Sequence, residues 1–558
     1  MDMMEDIWEP YARREAASAY EHLYPSFEWN IPASFNIAIA ACDRHAAAHP
    51  DKVAILFDRG KGTSERWTFR HLKADSNRLA NALRGLGVKS GDRVAIFLSQ
   101  SPQLPIAHFA VYKLGAVVVP LFTLFGHEAV VHRTGDSASR VLITDREHVE
   151  LVLDCLPQLP TLEHILVVDE PAAGTLFVPD LMAKSSDQFQ VVQTKADDPA
   201  IIIYTSGTTG KAKGALHGHR VLLGHLPGVS VSHDLMPRPG DFIWTPADWA
   251  WIGGMFDVLF PALYWAVPIV ARRMPKFDPL EAFDLMARWQ VKNVFLPPTA
   301  VKLMRQVDNP RGRWPISLRT IACGGESLGE ETLRWARETL GVHINEFYGQ
   351  TECNMVVSNC ASLFEARPGS MGKPAPGHDV AIIDDQGRPL PHGEIGEIGV
   401  RRGDPVMFLG YWNQPAATER KFVGDWLRTG DMGYMDADGY LYFVGRDDDI
   451  ISSAGYRIGP AEVEETLVQH QAVLMAAVIG RPDETRGEVV KAFVRLRGCV
   501  EPSDALKSEL QAWVRQRLGA HEYPREVEFV SEFPMTPSGK IQRAVLRQQE
   551  RERKKASL

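Results

Sequence analysis

Short β-branched apolar runs alternate with amphipathic stretches through the first two-thirds of the chain, at residues 93–98, 116–120, 141–144, 164–168, 200–204 and 293–296. Each run is nearly continuous rather than alternating. A strand without a polar face has to be covered on both sides, so these runs predict a largely parallel sheet flanked by helices. Between two of them Leu72, Leu79, Ala80 and Leu83 recur at helical spacing and predict an amphipathic helix. From about residue 377 to 445 the pattern shortens into strands cut by Gly, Pro and Asp turns, such as Asp384 to Gly387 and Asp436 to Gly439. That texture predicts antiparallel hairpins or a small barrel. Beyond Arg446 come a helix opening on Pro460, strands near 476–479 and 489–496, a helix over 503–518 and a basic tail. The expected fold is therefore α/β. A large N-terminal domain of mostly parallel sheets (1–446, with a β-barrel-like part at 377–445) precedes a small α+β C-terminal domain (447–558), joined near Arg446 to Asp449.

A chain of 558 residues with 45% hydrophobic and 23% charged positions has enough apolar material for several cores and is not disordered by composition. Its 61 basic and 70 acidic residues leave a net charge of -9, which gives no general attraction to nucleic acid. The apolar stretch from Val258 to Ala271 is too short to span a bilayer and contains Pro261 and Pro268, while Lys113 and Pro120 interrupt the one around His108 to Phe125. No integral membrane association is expected. Met1 to Arg14 is acidic and aromatic, unlike a secretory signal or a transit peptide, so the expected compartment is the cytoplasm. Cys42, Cys155, Cys323, Cys353, Cys360 and Cys499 show neither paired nor zinc-ligand spacing and read as reduced thiols.

The sharpest local feature follows the run at 200–204. The segment YTSGTTGKAKG, Tyr204 to Gly214, offers glycines that accept unusual dihedrals, hydroxyls from Thr205, Ser206, Thr208 and Thr209, and the cations Lys211 and Lys213. Together they make a cradle for a polyphosphate. It is not the P-loop of kinases, because only Thr208 and Thr209 separate Gly207 from Gly210 and Ala212 follows Lys211.

This segment resembles the signature of the adenylate-forming enzymes, the superfamily of acyl-CoA synthetases, luciferase-like proteins and peptide-synthetase adenylation domains. Further matching motifs follow in order: GGESL at Gly324, YGQTE at Tyr348, RTGD at Arg428, the run from Gly445 to Pro460, and PMTPSGKIQR at Pro534. The stretches from Ser453 to Pro460 and from Arg486 to Phe493, with Tyr523 to Arg525, are similar to the medium-chain acyl-CoA synthetase branch. The resemblance implies that ATP activates a carboxylic acid to acyl-AMP with release of pyrophosphate, and that the acyl group then passes to CoA. Alternatives are a ligase that delivers the acyl group to a carrier protein, and a non-catalytic nucleotide-binding homologue.

The chemistry sets its own demands. A carboxylate must attack the α-phosphorus of ATP, anion against anion, so cations have to be preorganised around the transition state. The resemblance assigns that role to Lys540. It gives Mg²⁺, arriving with ATP, to Glu352, and the α-phosphate to the hydroxyl of Thr351. Gly325, Glu326, Ser327 and Tyr348 match the adenine-binding positions, Gln350 a further ATP/AMP-binding position, Asp431 the ribose ligand, and Arg446 and Arg457 groups that reach ribose and phosphate oxygens. Asp448 matches the hinge about which a mobile C-terminal domain turns. The turn exchanges Lys540 for Gly455, and Ser453, Ala454, Gly455, Tyr456, Arg486 and Arg515 match positions that meet CoA.

For the acid, the resemblance places Trp249, Trp251, Ile252, Met255 and Gly349 around the acyl group. Acetate-specific relatives carry a tryptophan where this chain has Gly349, so an acid larger than acetate is expected, of short-to-medium, branched or aromatic type. The bulky residues from Trp249 to Met255 argue against a long-chain tunnel. His217 and His219, just past the phosphate segment, read as structural or exposed. Pro534, Gly539 and Lys540 resemble the site at which bacterial acyl-CoA synthetases are acetylated, implying a lysine acetyltransferase and deacetylase as partners. Oligomeric state is left open.

Overall fold

The computed structural model describes residues 20–556 apart from 61, 206–211, 326–327, 447–448, 454–455, 484–486, 499, 519–522 and 537–539. Among the described residues the strands form three sheets, of fourteen, eight and five strands.

The eight-stranded sheet is built around the apolar runs. Strands Arg93–Phe97, Val117–Pro120, Val141–Thr144 and His164–Val167 pair in parallel, and Pro199–Thr205 joins them beside Val117–Pro120. Both faces of Arg93–Phe97 are covered, with Val94 and Ile96 in one buried cluster and Ala95 and Phe97 in another. The helix Phe69–Gly85 supplies part of the cover. Thr68 caps its first turn by accepting from the His71 N–H, and Leu72, Leu79, Ala80 and Leu83 are buried. One edge turns antiparallel: Lys213–Gly218 folds back on Pro199–Thr205, with Thr205 opposite Lys213.

In the fourteen-stranded sheet, Asn293–Phe295, Thr320–Gly324 and Ile344–Gln350 run parallel. Cys353–Ser358 then returns as a hairpin, and Ser370–Pro374 links it to the antiparallel strands Val380–Ile383, Gly396–Arg401, Trp426–Met435 and Leu441–Arg446.

The five-stranded sheet contains only strands after residue 450, from Ile451–Ser453 to Glu526–Phe529. Helices Pro460–Val468 and Asp504–Arg517, the latter capped by Ser503, cover one face around Ala476 and Val478. The other face, around Ala477 and Ile479, is covered by Leu546. That residue belongs to the helix Arg543–Ala556, where the sequence pattern shows only a basic tail. Its long charged side chains alternate with too few apolar positions to announce a helix, and docking onto the sheet supplies the missing stability. Among the described residues no helix is long and apolar enough to cross a membrane. Cys42, Cys155, Cys323, Cys353 and Cys360 are buried free thiols, whereas Cys499 and the segment from Met1 to Arg14 lie outside the described residues.

Candidate active site

Parallel strands end together at one edge of a sheet, and the groove beyond their carboxyl ends is where an α/β fold offers backbone and side chains to a ligand. Here Thr320–Gly324 and Ile344–Gln350 end at a cleft of about 1600 Å³, which also takes residues from the C-terminal sheet. Its walls include Tyr204, Thr205, Lys213, Gly325, Tyr348, Gly349, Gln350, Thr351, Glu352, Asp431, Arg446 and Lys540.

The centre of the N-terminal wall is Asp431. Its Oδ2 accepts from the Tyr348 hydroxyl at 2.6 Å and from Gln350 Nε2 at 3.3 Å, while Arg446 Nη1 lies 3.2 Å from Oδ1. The arrangement follows from register, because Asp431 and Arg446 face each other on adjacent strands. Burial and the neighbouring Asp431 charge push the Tyr348 hydroxyl well above its ordinary pKa, so it stays a donor. Lys421, which no motif signals, donates to Gln350 Oε1 at 3.0 Å and to the carbonyls of Arg428 and Thr429. Burial lowers its pKa.

Glu352 is 7% exposed, and its Oε1 accepts from the hydroxyl of Tyr411, another residue outside the motifs. Lys213 Nζ stands 5.2 Å from the centre of the Tyr411 ring, which joins the base of the phosphate segment to the carboxylate. Of that segment, Ser206, Gly207, Thr208, Thr209, Gly210 and Lys211 lie outside the described residues, as do Glu326 and Ser327.

Lys540 comes from the opposite side. It is exposed, and a Cβ placed on Gly325 would be 3.4 Å from its Cε and 3.6 Å from its Nζ. Gly325 has φ +105°, a conformation that favours glycine, so the backbone there leaves the lysine room. The segment carrying Lys540 is tied down locally. Lys540 N donates to Thr536 Oγ1 at 3.0 Å, Thr536 N donates to Lys540 O at 2.7 Å, and Met535 bridges Ile541. Below it Arg543 donates to both carboxyl oxygens of Glu464 at 2.9 and 2.6 Å, and Arg547 binds Asp449.

The acyl-pocket expectations divide. Trp251, Ile252 and Gly349 line the cleft, whereas Trp249 and Met255 are fully buried in the core. The two tryptophans part because the segment is not a strand: Trp251 is the N-cap of the helical turn Ile252–Gly254, so side chains two apart do not share a face. Gly349 is also tighter than the comparison with a bulky residue implies. An added Cβ would lie 2.3 Å from Met355 N and 2.6 Å from Asn354 Cα, so no side chain enters without moving the backbone. His217 and His219 are both buried, and burial pushes them down to about 3 and about 4, which leaves them neutral.

Of the positions matched to CoA, Ser453 is buried within its strand and Arg515 lies 5.5 Å from the centre of the Tyr523 ring; neither lines this cleft. Tyr456 and Arg457 are in the strand Tyr456–Ile458. Ala454, Gly455, Arg486 and Asp448 lie outside the described residues.

The profile of AMP-binding enzymes matches residues 42–412, and that of the AMP-binding enzyme C-terminal domain matches 462–540. The chain belongs to the AMP-binding enzyme family. Among curated relatives of this family member, an acetyl-coenzyme A synthetase of Bacillus subtilis (strain 168) is 36% identical over 95% of this chain and 94% of its own length. The mitochondrial acyl-coenzyme A synthetase ACSM4 of Homo sapiens is 36% identical over 93% of this chain and 91% of its own. Among solved structures, the anthranilate CoA ligase AuaEII in complex with anthranoyl-AMP superposes with a TM-score of 0.86 at 31% identity, covering 95% of this chain and 99% of that one.

Proposed function

We propose that this AMP-binding enzyme is an AMP-forming acyl-CoA synthetase. The carboxylate of an organic acid attacks the α-phosphorus of ATP, a new C–O–P bond forms, and pyrophosphate leaves. The thiol of CoA then attacks the acyl carbonyl, loses its proton, and displaces AMP. The observation that carries the reading is the placement of the Lys540 ammonium against Gly325, facing the wall of Tyr348, Asp431 and Glu352. A cation delivered there meets the charge that builds as the two anions approach, and preorganised charge of this kind lowers the barrier most.

In this reading Asp431 accepts from the ribose hydroxyls, with Tyr348, Gln350 and Arg446 holding it in place, and Thr205 and Lys213 meet the phosphates. The donor set fits Mg²⁺ arriving with ATP. Glu352 offers a hard carboxylate oxygen, Tyr411 orients the group through the other oxygen, and an ion of this type takes its remaining ligands from phosphates and water. Bound there, Mg²⁺ would neutralise phosphate charge. The gathering of Lys540, and not of Ser453 or Arg515, at the cleft supports the adenylating arrangement. Residues 1–446 then form the body that binds ATP and acid, and residues 447–558 turn about Asp448 to present the CoA-binding face. The relatives named for acetyl, anthranilate and acyl substrates leave a range of acids, of which we take those larger than acetate.

Acid-dependent exchange of pyrophosphate into ATP tests the reading. Exchange with CoA consumption and AMP release is expected; exchange without CoA consumption would point to a carrier-protein acceptor. Acetylating Lys540 removes its charge, so acetylated enzyme is expected to lose adenylation yet thioesterify supplied acyl-AMP.

A further inference from the structure

Beyond the residues already assigned, a buried carboxyl group meets the cleft on the side of Trp251 and Gly349. Asp257 is 1% exposed and belongs to the π-helical turn Met255–Leu259, whose other residues pack into the core. Both Asp257 and Asn354 line the cleft. Asn354 Nδ2 donates to Asp257 Oδ1 at 2.7 Å and stands 3.3 Å from His225 Nε2. His225 Nδ1 lies 2.7 Å from the Val221 carbonyl and so carries the imidazole proton, and burial pushes this histidine down to about 3. Its Nε2 is therefore an acceptor, and both amide hydrogens of Asn354 are used.

Two polar atoms of this cluster are left over. Among the described residues no side chain or backbone group bonds Asp257 Oδ2 or Asn354 Oδ1, and neither atom is sealed from the cleft. Burial raises the Asp257 carboxyl well above its ordinary value, against the lowering effect of the Asn354 hydrogen bond, which favours the protonated form able to donate. A buried carboxyl and an amide oxygen, each with an unused atom, thus sit side by side in a wall that includes Trp251, Ile252 and Phe347. A purely aliphatic tail would leave both unpaired, at a cost that a polar substituent removes.

We propose that Asp257 and Asn354 form a polar end to the acyl pocket, and that the preferred acid carries a hydroxyl or amino substituent that meets them. This rests on the acyl-CoA synthetase reading and narrows its substrate class to hydroxy- or amino-substituted acids of short-to-medium or aromatic type. A pocket built to hydrogen-bond a substrate hydroxyl rejects the analogue lacking it far more strongly than an apolar pocket rejects a missing methylene.

The test is pyrophosphate–ATP exchange with matched acids: benzoate against its three hydroxy and three amino isomers, and hexanoate against 6-hydroxyhexanoate. At least one substituted acid is expected to exceed its parent in kcat/KM by about 10²-fold or more. Asp257→Leu should bring that ratio towards one, while Asp257→Asn, which keeps a donor and an acceptor in the same volume, should retain most of it. ATP binding by each variant reports whether it is folded. If every parent acid equals or exceeds its substituted partners in the native enzyme, the proposal is overturned and the synthetase reading stands, whatever the variants do. If Asp257→Leu binds ATP and slows both members of a pair equally, Asp257 is only structural and the proposal is likewise overturned. No exchange with any acid would overturn the synthetase reading and this proposal with it.

Discussion

On the N-terminal wall of the cleft the polar side chains hold one another, with buried Tyr348 and half-buried Gln350 and Arg446 converging on buried Asp431, and Tyr411 binding buried Glu352. On the C-terminal wall Lys540 is exposed, and what is fixed are the residues around it, through Thr536, Arg543 and Glu464. The first wall is part of the fold; the second is a charge presented to it by a separate sheet. Substitutions should therefore separate the two, costing stability on one side and chemistry on the other.

The largest effect is expected from Lys540→Ala. Adenylation should fall about 10²–10³-fold, the usual loss when one preorganised charge partner is removed, while the thermal midpoint hardly moves because the side chain is exposed. A variant that melted early but adenylated normally would invert the comparison. Asp431→Ala should do the reverse in kind, destabilising the protein by about 1–3 kcal/mol in urea titrations as buried donors lose their acceptor, along with a loss of ATP affinity. An unchanged midpoint would show that the N-terminal wall is not held as described. Gly349→Ala sharpens the picture within that wall. The clash with the Met355 backbone should cost about 1–3 kcal/mol, as overpacking does, and the loss should appear with every acid, since it comes from a displaced strand and not from a narrower pocket.

The smallest effect is one of pH at the seam between the walls. Glu346 is half-buried, its Oε1 accepts from Leu328 N at 3.1 Å, and loss of solvent around the carboxyl pushes it up to about 7, with Glu465 of the C-terminal sheet's helix adding to the rise. Glu465 in turn accepts from Glu330 N at 3.3 Å across the seam. A carboxyl raised in the docked state binds its proton more tightly there than when exposed. Its contribution to docking is thus complete below the ordinary carboxylate range and lost as the pH rises through about 7. Protection of the 447–558 segment from protease should weaken as the pH rises from 4.5 to about 7 and level off above that, and Glu346→Gln should flatten the change.

What the sequence disclosed and what it withheld divide along the same line. The parallel strands were legible because each is a short apolar run with both faces covered, as Val94 to Phe97 are, and the helix Phe69–Gly85 because its apolar positions keep helical spacing. Tyr348, Gln350, Asp431 and Lys540 stand within motifs and were legible as candidates for that reason. Lys421, Tyr411 and Asp257 were not, because each reaches the cleft from a segment without a motif, and only the folded register brings them to Gln350, Glu352 and Asn354. Asn354 had one signal, its position two residues past Glu352. The burial of Trp249 and Met255 in the core was not legible, because bulk in a sequence does not tell which face of a turn it takes.

Acid-dependent pyrophosphate–ATP exchange, measured side by side for the native protein and Lys540→Ala with ATP binding recorded for both, tests the central claim most directly. Exchange in the native protein, lost in a variant that still binds ATP, is the predicted result. No exchange with any acid from two to ten carbons or with benzoates, or equal exchange by the variant, would contradict it.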